Sequence, residues 1–247
     1  MSAAALEIIG LCKRFGGLPV TQDLSMRVAQ GERRLIIGPN GAGKTTLFNQ
    51  ITGDLAPNAG SVRLFGQELV GLPTQKRVTL GMSRTYQILT LFNDDTMHHN
   101  VVLSLLGHSA ARWNPWAALH DRAELRSRAA DALARVGLSA KADLIAGHTS
   151  YGDRRRLELA MALAQNPKLL LLDEPLAGLS HEERDSVREV LLSIPRDVTV
   201  IMIEHDMDVA LAFAEQITLL NFGQVVVEGT RAEVVANPKT REVYLGE

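Results

Sequence analysis

Residues 38–46 read Gly38-Pro39-Asn40-Gly41-Ala42-Gly43-Lys44-Thr45-Thr46. Before this stretch stands Arg34-Leu35-Ile36-Ile37, a short apolar run of the kind that forms a strand. After it, residues 46–51 continue in a helical pattern that Gly53 ends. A glycine-rich loop between a strand and the first turn of a helix is the context that identifies a phosphate-binding loop. The sequence therefore predicts a nucleotide-binding sheet with this loop at the end of one strand.

Each residue type in this loop has a physical role at a phosphate. Glycines at positions 38, 41 and 43 let the backbone curl, so that successive N–H groups point into one concavity. The dipole of the following helix adds positive potential there. Lys44 supplies a charge for the outer phosphates of ATP, and the Thr45 hydroxyl suits Mg²⁺. The alternative is a glycine-rich turn that happens to hold a lysine, and the strand and helix on either side argue against it.

A second segment supplies the candidate chemistry. Residues 169–172 are four leucines, as expected of a strand in a parallel sheet that is covered on both faces. The carboxylates of Asp173 and Glu174 follow, and then Pro175, which we expect to end the strand. Because successive strand residues face opposite ways, the two carboxylates can divide the work. We predict that Asp173 holds Mg²⁺ through water and that Glu174 orients or polarises the attacking water, rather than both lying in a solvated turn.

With both segments in place, nearly the whole chain resembles the ATP-binding-cassette (ABC) ATPases. Thr149-Ser150-Tyr151-Gly152-Asp153 stands where that family has its signature loop. Apolar residues at helical spacing follow it, so Ser150 and Gly152 lie at a predicted helix N-terminus, which is again an anion site. The resemblance implies that this site serves the γ-phosphate of an ATP molecule held by a partner subunit.

Two departures from the family pattern carry their own expectations. The usual signature begins with Leu and ends with Gln, whereas this chain has Thr149 and Asp153. A carboxylate that faced a triphosphate would repel it, so we expect Asp153 to point outward and to favour the first helical turn. Ser180 stands where the family often has Asp, which leaves open the cross-subunit role of that loop.

Three further positions match the family one by one. Gln87 resembles the glutamine that reaches Mg²⁺ and the attacking water, although a surface glutamine is the alternative from its local sequence. His205 follows an apolar strand pattern at residues 198–203 and matches the switch histidine that contacts the γ-phosphate. Phe15 matches the aromatic residue that stacks on adenine, and a core phenylalanine remains the alternative.

The resemblance implies an α/β fold of the P-loop NTPase class, with a mainly parallel nucleotide-binding sheet, an antiparallel β lobe and a helical lobe. We expect a single ABC ATPase domain over residues 1–247. Residues 1–87 and 165–247 would form the core and the β lobe, and residues 88–164 the helical lobe. In the helical lobe, Asp121 and Glu124 have capping-box spacing ahead of an apolar stripe formed by Leu125, Ala129, Ala132, Leu133 and Val136.

The composition agrees with this interpretation. A length of 247 residues suits one large domain, and a net charge of -2 gives no electrostatic case for binding nucleic acid. A single cysteine, Cys12, excludes an internal disulfide and suits a reducing compartment. The N-terminus has no signal-peptide pattern, and no apolar run approaches the roughly 20 residues that span a bilayer. We therefore expect any membrane association to come through a partner.

Within the family, the chain is most similar to the ATPases of branched-chain amino-acid importers. The likeness rests on residues 84–87, the signature at residues 150–152 and the tail at residues 243–247. It implies transmembrane permease subunits, a second ATPase that is identical or different, and, indirectly, a periplasmic binding protein. It also places the chain at the cytoplasmic face of the inner membrane. The alternatives are a urea or amide importer, a lipopolysaccharide exporter, and a soluble ATPase such as one for iron–sulfur cluster assembly.

The segment from Gln87 to Phe92 is a candidate contact with a permease. It places four apolar side chains beside the glutamine that the resemblance assigns to nucleotide sensing: Ile88, Leu89, Leu91 and Phe92. We predict that some of them line a docking groove, the alternative being that all four belong to the core.

Overall fold

A computed structural model describes residues 3–86, 89–108, 122–204 and 212–245. The chain forms two compact units. The first comprises Met1–Arg84, Lys168–Glu174 and Pro195–Glu247, and the second comprises Thr85–Pro167 and Pro175–Ile194. The expected division of the chain, with a helical lobe at residues 88–164, remains a prediction.

The described strands and helices are numbered here in chain order. The strands are β1 (Ala4–Phe15), β2 (Leu18–Ala29), β3 (Arg33–Ile37), β4 (Ala59–Leu64), β5 (Gln67–Glu68), β6 (Met82–Arg84), β7 (Leu169–Asp173), β8 (Thr199–Ile203), β9 (Gln216–Asn221) and β10 (Gln224–Thr230). The helices are α1 (Lys44–Thr52), α2 (Thr74–Thr79), α3 (Met97–His108), α4 (Arg122–Arg135), α5 (Tyr151–Ala164), α6 (His181–Ser193), α7 (Arg231–Ala236) and α8 (Pro238–Leu245).

The larger sheet of the first unit has the strand order β10-β9-β3-β8-β7-β6. Its strands pair in parallel from β9 to β6, and only β10 is antiparallel to its neighbour. All five residues of β3, of β7 and of β8 are buried, as the continuous apolar sequences of β7 and β8 require of strands covered on both faces. The parallel arrangement brings the carboxyl ends of β3, β7 and β8 to one edge, where the phosphate loop and Asp173 lie.

The smaller sheet of the first unit is antiparallel, in the order β2-β1-β4-β5. Its apolar residues alternate with polar ones, so that Leu24, Met26 and Val28 are buried on one face of β2. They share a core with Phe48 of α1 and with Leu171 of β7. The predicted mainly parallel sheet and antiparallel β sheet are therefore both present.

The second unit is built from α3, α4, α5 and α6. Helix α3 packs against α4 and α5, and α5 packs against both α4 and α6. The predicted apolar stripe of α4 is buried from Leu125 to Val136, and Gly137 follows with a φ of 70°. Asp121, the first residue of the predicted capping box, lies outside the described residues.

Candidate nucleotide-binding site

The phosphate loop connects β3 to α1 as predicted. Gly38 and Gly43 have φ values of 149° and 98°, which other residues rarely adopt. A Cβ atom at Gly38 would lie 2.2 Å from the carbonyl oxygen of Leu220, and one at Gly43 would lie 2.7 Å from that of Val20. Glycine is therefore required at both positions by backbone conformation and by close packing, and the curl of the loop is built into the fold.

Lys44 is the first residue of α1, and it is buried within the loop. Its Nζ atom donates hydrogen bonds to the carbonyl oxygens of Gly38 at 2.7 Å and Pro39 at 3.1 Å. Burial lowers the pKa of Lys44 below its ordinary value, and the nearby carboxylates of Glu174 and Asp173 act in the opposite direction. Thr45, the next residue, is exposed. The loop thus holds a lysine charge within electrostatic range of the two carboxylates.

The two carboxylates differ in backbone conformation. Strand β7 ends at Asp173, which is buried, and Glu174 follows with a φ of 48° in the left-handed region. The N–H of Glu174 donates to the carbonyl oxygen of Ile203 at 2.9 Å. The prediction that strand alternation separates the two side chains, with Pro175 ending the strand, is therefore wrong. A left-handed residue turns the chain immediately after Asp173, and such conformations are common at active sites.

Arg84 is a site residue that the sequence reasoning missed. Its Nη2 atom donates to Asp173 Oδ2 at 2.7 Å, and its Nη1 atom donates to Asn49 Oδ1 at 2.7 Å. The contact arises because β6 pairs in parallel with β7, with Arg84 opposite Leu171. The signal for Arg84 in the sequence is its place in the same short run as Gln87.

Gln87 and His205 lie outside the described residues. The backbone that leads to Gln87 is described up to Tyr86. The N–H of Tyr86 donates to Glu158 Oε1 at 2.9 Å, and the carbonyl oxygen of Tyr86 accepts from Arg155 Nη1 at 2.9 Å. Both of these side chains belong to α5 and are buried. Helix α5, which begins at the signature residues, therefore binds the backbone immediately before Gln87.

The signature residues lie at the N-terminus of α5 as predicted. Ser150 caps the helix, and its Oγ atom accepts a hydrogen bond from the N–H of Asp153 at 3.1 Å. The N–H of Gly152 donates to Glu183 Oε1 at 2.8 Å. Hydrogen bonds from the backbone N–H groups of Ser180 and Gly152 hold the pKa of the Glu183 carboxyl below its ordinary value, and the Ser150 side chain adds a further bond. A carboxylate is therefore bound at the predicted anion site.

The expectation that Asp153 points outward is wrong. Its side chain is buried and accepts hydrogen bonds from Lys141 Nζ at 2.5 Å and from Arg156 Nη2 at 2.6 Å. Burial raises the pKa of Asp153, but the bonds from Lys141 and Arg156 outweigh it, so the pKa lies below its ordinary value. Two cations, rather than solvent, compensate the carboxylate, which still lies in the first helical turn.

Ser180 has a local structural role. Its Oγ atom accepts from the N–H of Glu183, and Glu183 Oε2 accepts from the N–H of Ser180, so the two form a capping box at the start of α6. The serine–glutamate spacing was visible in the sequence and was missed. Glu183 joins this box to Gly152 at the start of α5, since one oxygen serves each helix.

Two of the alternatives left open by the sequence are settled by exposure. The side chain of Phe15 is 51% exposed, which excludes a core phenylalanine. Phe92 is 58% exposed, so the alternative that all four apolar residues near Gln87 are core is wrong. Leu89 and Leu91 are half-buried, and Ile88 lies outside the described residues.

The ABC transporter family model matches residues 21–177, more than half of the chain. The chain therefore belongs to the ABC transporter family, whose ATP-binding cassettes hydrolyse ATP, and its predicted membership, fold class and ATPase activity are confirmed. The match spans both the phosphate loop and the paired carboxylates.

Relatives match over the full length of the chain. It is 37% identical to the high-affinity branched-chain amino acid transport ATP-binding protein BraF of Pseudomonas aeruginosa, with all of both chains covered. It is 35% identical to the corresponding protein LivG of Escherichia coli K12, again with all of both covered.

Solved structures agree with the fold. A nucleotide-free ATP-binding cassette from an ABC transporter superposes with a TM-score of 0.87 at 28% identity, covering 99% of this chain and 100% of the other. A cassette in its ADP conformation gives 0.86 at 29% identity, covering 99% of each. Among the described residues, no helix has the length and apolar character needed to cross a membrane.

Proposed function

We propose that this chain is the ATP-hydrolysing subunit of an importer for branched-chain or similar amino acids. The observation that carries the proposal is the match over the full length of both chains to BraF, a branched-chain amino acid transport protein, at 37% identity. The substrate is inferred from these relatives and not from the geometry of the site.

The phosphates of ATP bind to the loop formed by Gly38, Pro39, Asn40, Gly41, Ala42, Gly43, Lys44, Thr45 and Thr46. In this proposal Lys44 exchanges its two carbonyl acceptors for phosphate oxygens, which a cation binds more strongly. Phe15 stacks on adenine, because its exposed ring is free of the core.

The oxygen ligands present fit Mg²⁺. Thr45 offers an exposed hydroxyl and Asp173 a carboxylate, and Gln87 is the third proposed ligand. The described residues contain no cluster of three histidine, cysteine or acidic side chains that could hold a metal by themselves. That pattern suits Mg²⁺, which commonly binds through one or two carboxylates together with the phosphates of the substrate. When bound, Mg²⁺ neutralises charge on the phosphates.

Hydrolysis requires a water molecule to be oriented toward the γ-phosphate. Glu174 accepts a hydrogen bond from that water and polarises it, and its left-handed backbone turns it away from the strand that carries Asp173. His205 and Gln87 contact the γ-phosphate and the water. Ser150 and Gly152 bind the γ-phosphate of an ATP on a partner subunit. That phosphate takes the place of the Glu183 carboxylate, which accepts a hydrogen bond from Gly152 in this structure.

The proposed assembly contains a second ABC ATPase subunit, identical or different, and two transmembrane permease subunits, with a periplasmic binding protein acting indirectly. The chain is then a single ABC ATPase domain, peripheral to the cytoplasmic face of the inner membrane. Exposed Phe92, with Leu89 and Leu91 beside it, contributes to the contact with a permease.

The test is to identify the neighbouring genes and to reconstitute this chain with any permeases that they encode. The complex should take up a labelled branched-chain amino acid in an ATP-dependent way, and Glu174→Gln should abolish uptake while the complex still assembles. A cysteine desulfurase in place of permeases among the neighbouring genes would contradict the importer and favour a cluster-assembly ATPase.

A further inference from the structure

We propose that Arg84 is a positioning residue that orients the Asp173 carboxylate toward the metal of the ATP site. The inference rests on the proposed function, because it requires Asp173 to lie in the Mg²⁺ shell. The observations that carry it are the two ends of the guanidinium, one at Asp173 and one at Asn49.

The guanidinium joins the two elements that supply metal ligands. Asp173 ends β7, whereas Asn49 lies on α1, the helix that carries Thr45 in its first turn. Two hydrogen bonds of 2.7 Å from Nη2 and Nη1 therefore connect the strand to the helix. This connection, together with the shared core, constrains how the Asp173 carboxylate lies relative to the helix that carries Thr45.

The bond from Arg84 also determines how the carboxylate is turned. Among the described residues, Arg84 provides the hydrogen bond to this carboxylate, and it engages Oδ2. With Oδ2 held, the orientation of Oδ1 is also determined, because the carboxylate is planar. The side chain of Asp173 is 2% exposed, so little solvent is present to replace the guanidinium.

Arg84 is itself held rigidly. Its side chain is 6% exposed, and its guanidinium carbon lies 5.5 Å from the centre of the Phe48 ring. Nη1 also lies 3.4 Å from both Thr52 Oγ1 and Asp54 Oδ2. A planar group with several fixed partners can orient another side chain, as outer-sphere partners of metal ligands generally do.

A purely structural role would be to neutralise the buried charge of Asp173. Lysine would keep that charge, but it has one nitrogen in place of the fork and cannot bridge Asp173 and Asn49 in the same way. Arg84→Lys therefore separates the two roles. Asn49→Ala provides an independent variant, because it removes the 2.7 Å bond from Nη1, the shortest at that end of the guanidinium, and leaves the charge in place.

The experiment measures metal binding and metal dependence on the full chain. Mn²⁺ binding in the presence of ATP is followed by electron paramagnetic resonance in the Glu174→Gln background, where turnover is blocked. The Mg²⁺ concentration for half-maximal ATPase activity is measured with Glu174 intact. The variants are Arg84→Lys, Arg84→Gln and Asn49→Ala, and Arg63→Gln is the matched control because that arginine is 47% exposed in a surface ion pair.

We expect Arg84→Lys and Arg84→Gln to weaken Mn²⁺ binding and to raise the Mg²⁺ requirement by about tenfold. Asn49→Ala should shift both in the same direction by a smaller factor. Arg63→Gln should change neither, and ATP affinity in EDTA should stay within about twofold of wild type for every variant, because no phosphate contact is altered.

Wild-type metal binding in Arg84→Lys would overturn the proposal, since charge alone would then suffice. Tighter binding in Arg84→Gln would also overturn it, because the guanidinium would then compete with the metal. Asp173→Asn separates this failure from failure of the site. Weaker Mn²⁺ binding in Asp173→Asn with unchanged Arg84 variants removes only the positioning role, whereas an unchanged Asp173→Asn removes the proposed metal site as well.

Discussion

Replacing Lys44 by methionine tests the phosphate loop most directly. Methionine keeps much of the apolar stem that packs in the loop and removes the Nζ atom, which now donates to Gly38 and Pro39. In the proposed complex this atom binds the outer phosphates of ATP. The variant therefore loses a charge-assisted contact in the bound state and leaves two loop carbonyls without a donor in the free state.

The magnitude follows from these contacts. A hydrogen bond to a charged group contributes about 1.5–3 kcal/mol, which corresponds to about 10- to 150-fold in affinity. The free protein loses less, because burial already disfavours the charged form of Lys44 and lowers its pKa. We therefore expect a large loss of ATP affinity with a small change in the free energy of unfolding.

The assay is calorimetric titration with ATP, combined with chemical unfolding of the free protein. Lys76→Met is the matched control, since Lys76 is an exposed lysine on α2 of the same unit and should bind ATP as wild type does. An affinity for Lys44→Met within about twofold of wild type would refute the assignment of the loop. A loss of affinity that matched the loss of stability would assign Lys44 a structural role instead.

Three further predictions concern the carboxylates and the surfaces. Glu174→Gln should keep ATP affinity and nearly abolish hydrolysis, because the amide loses the basicity that polarises water. With ATP and Mg²⁺, the variant should sediment as a long-lived dimer. Turnover within a few-fold of wild type would remove Glu174 from this role. Asp153→Asn should lower the free energy of unfolding at pH 7 by about 2 kcal/mol, since it weakens the bonds from Lys141 and Arg156. The pKa of Asp153 is depressed in the folded state, so this difference should be full above about pH 4 and vanish as the pH falls through the lowered pKa in a denaturation series. The control Asp143→Asn, at an exposed position, should change the free energy of unfolding at pH 7 by no more than about 0.5 kcal/mol. Phe92→Cys should cross-link to a co-expressed permease, and exposed Phe222→Cys on the β9–β10 turn should not; equal yields at both positions would contradict the docking surface.

Local features of the sequence determined the phosphate loop and the elements around it. The glycines at 38 and 43 have backbone angles and close approaches that other residues cannot satisfy, so their spacing predicts the curled loop. The continuous apolar run of β7 predicts a strand covered on both faces, and the stripe of α4 predicts its buried side. These patterns are legible in one segment because the period of the backbone sets which side chains share a face.

Only the tertiary structure determines which groups pair with the charged side chains. Arg84 and Asp173 are 89 residues apart in the chain, and Gly152 and Glu183 are 31 apart. Parallel pairing of β6 with β7 makes the first contact, and packing of α5 against α6 makes the second. The sequence shows that such a residue is charged. Whether it points outward, as expected of Asp153, or is buried between cations depends on which elements pack around it. A buried charge requires an opposite charge or hydrogen bonds to compensate it, and the packing of the fold determines which residue provides them.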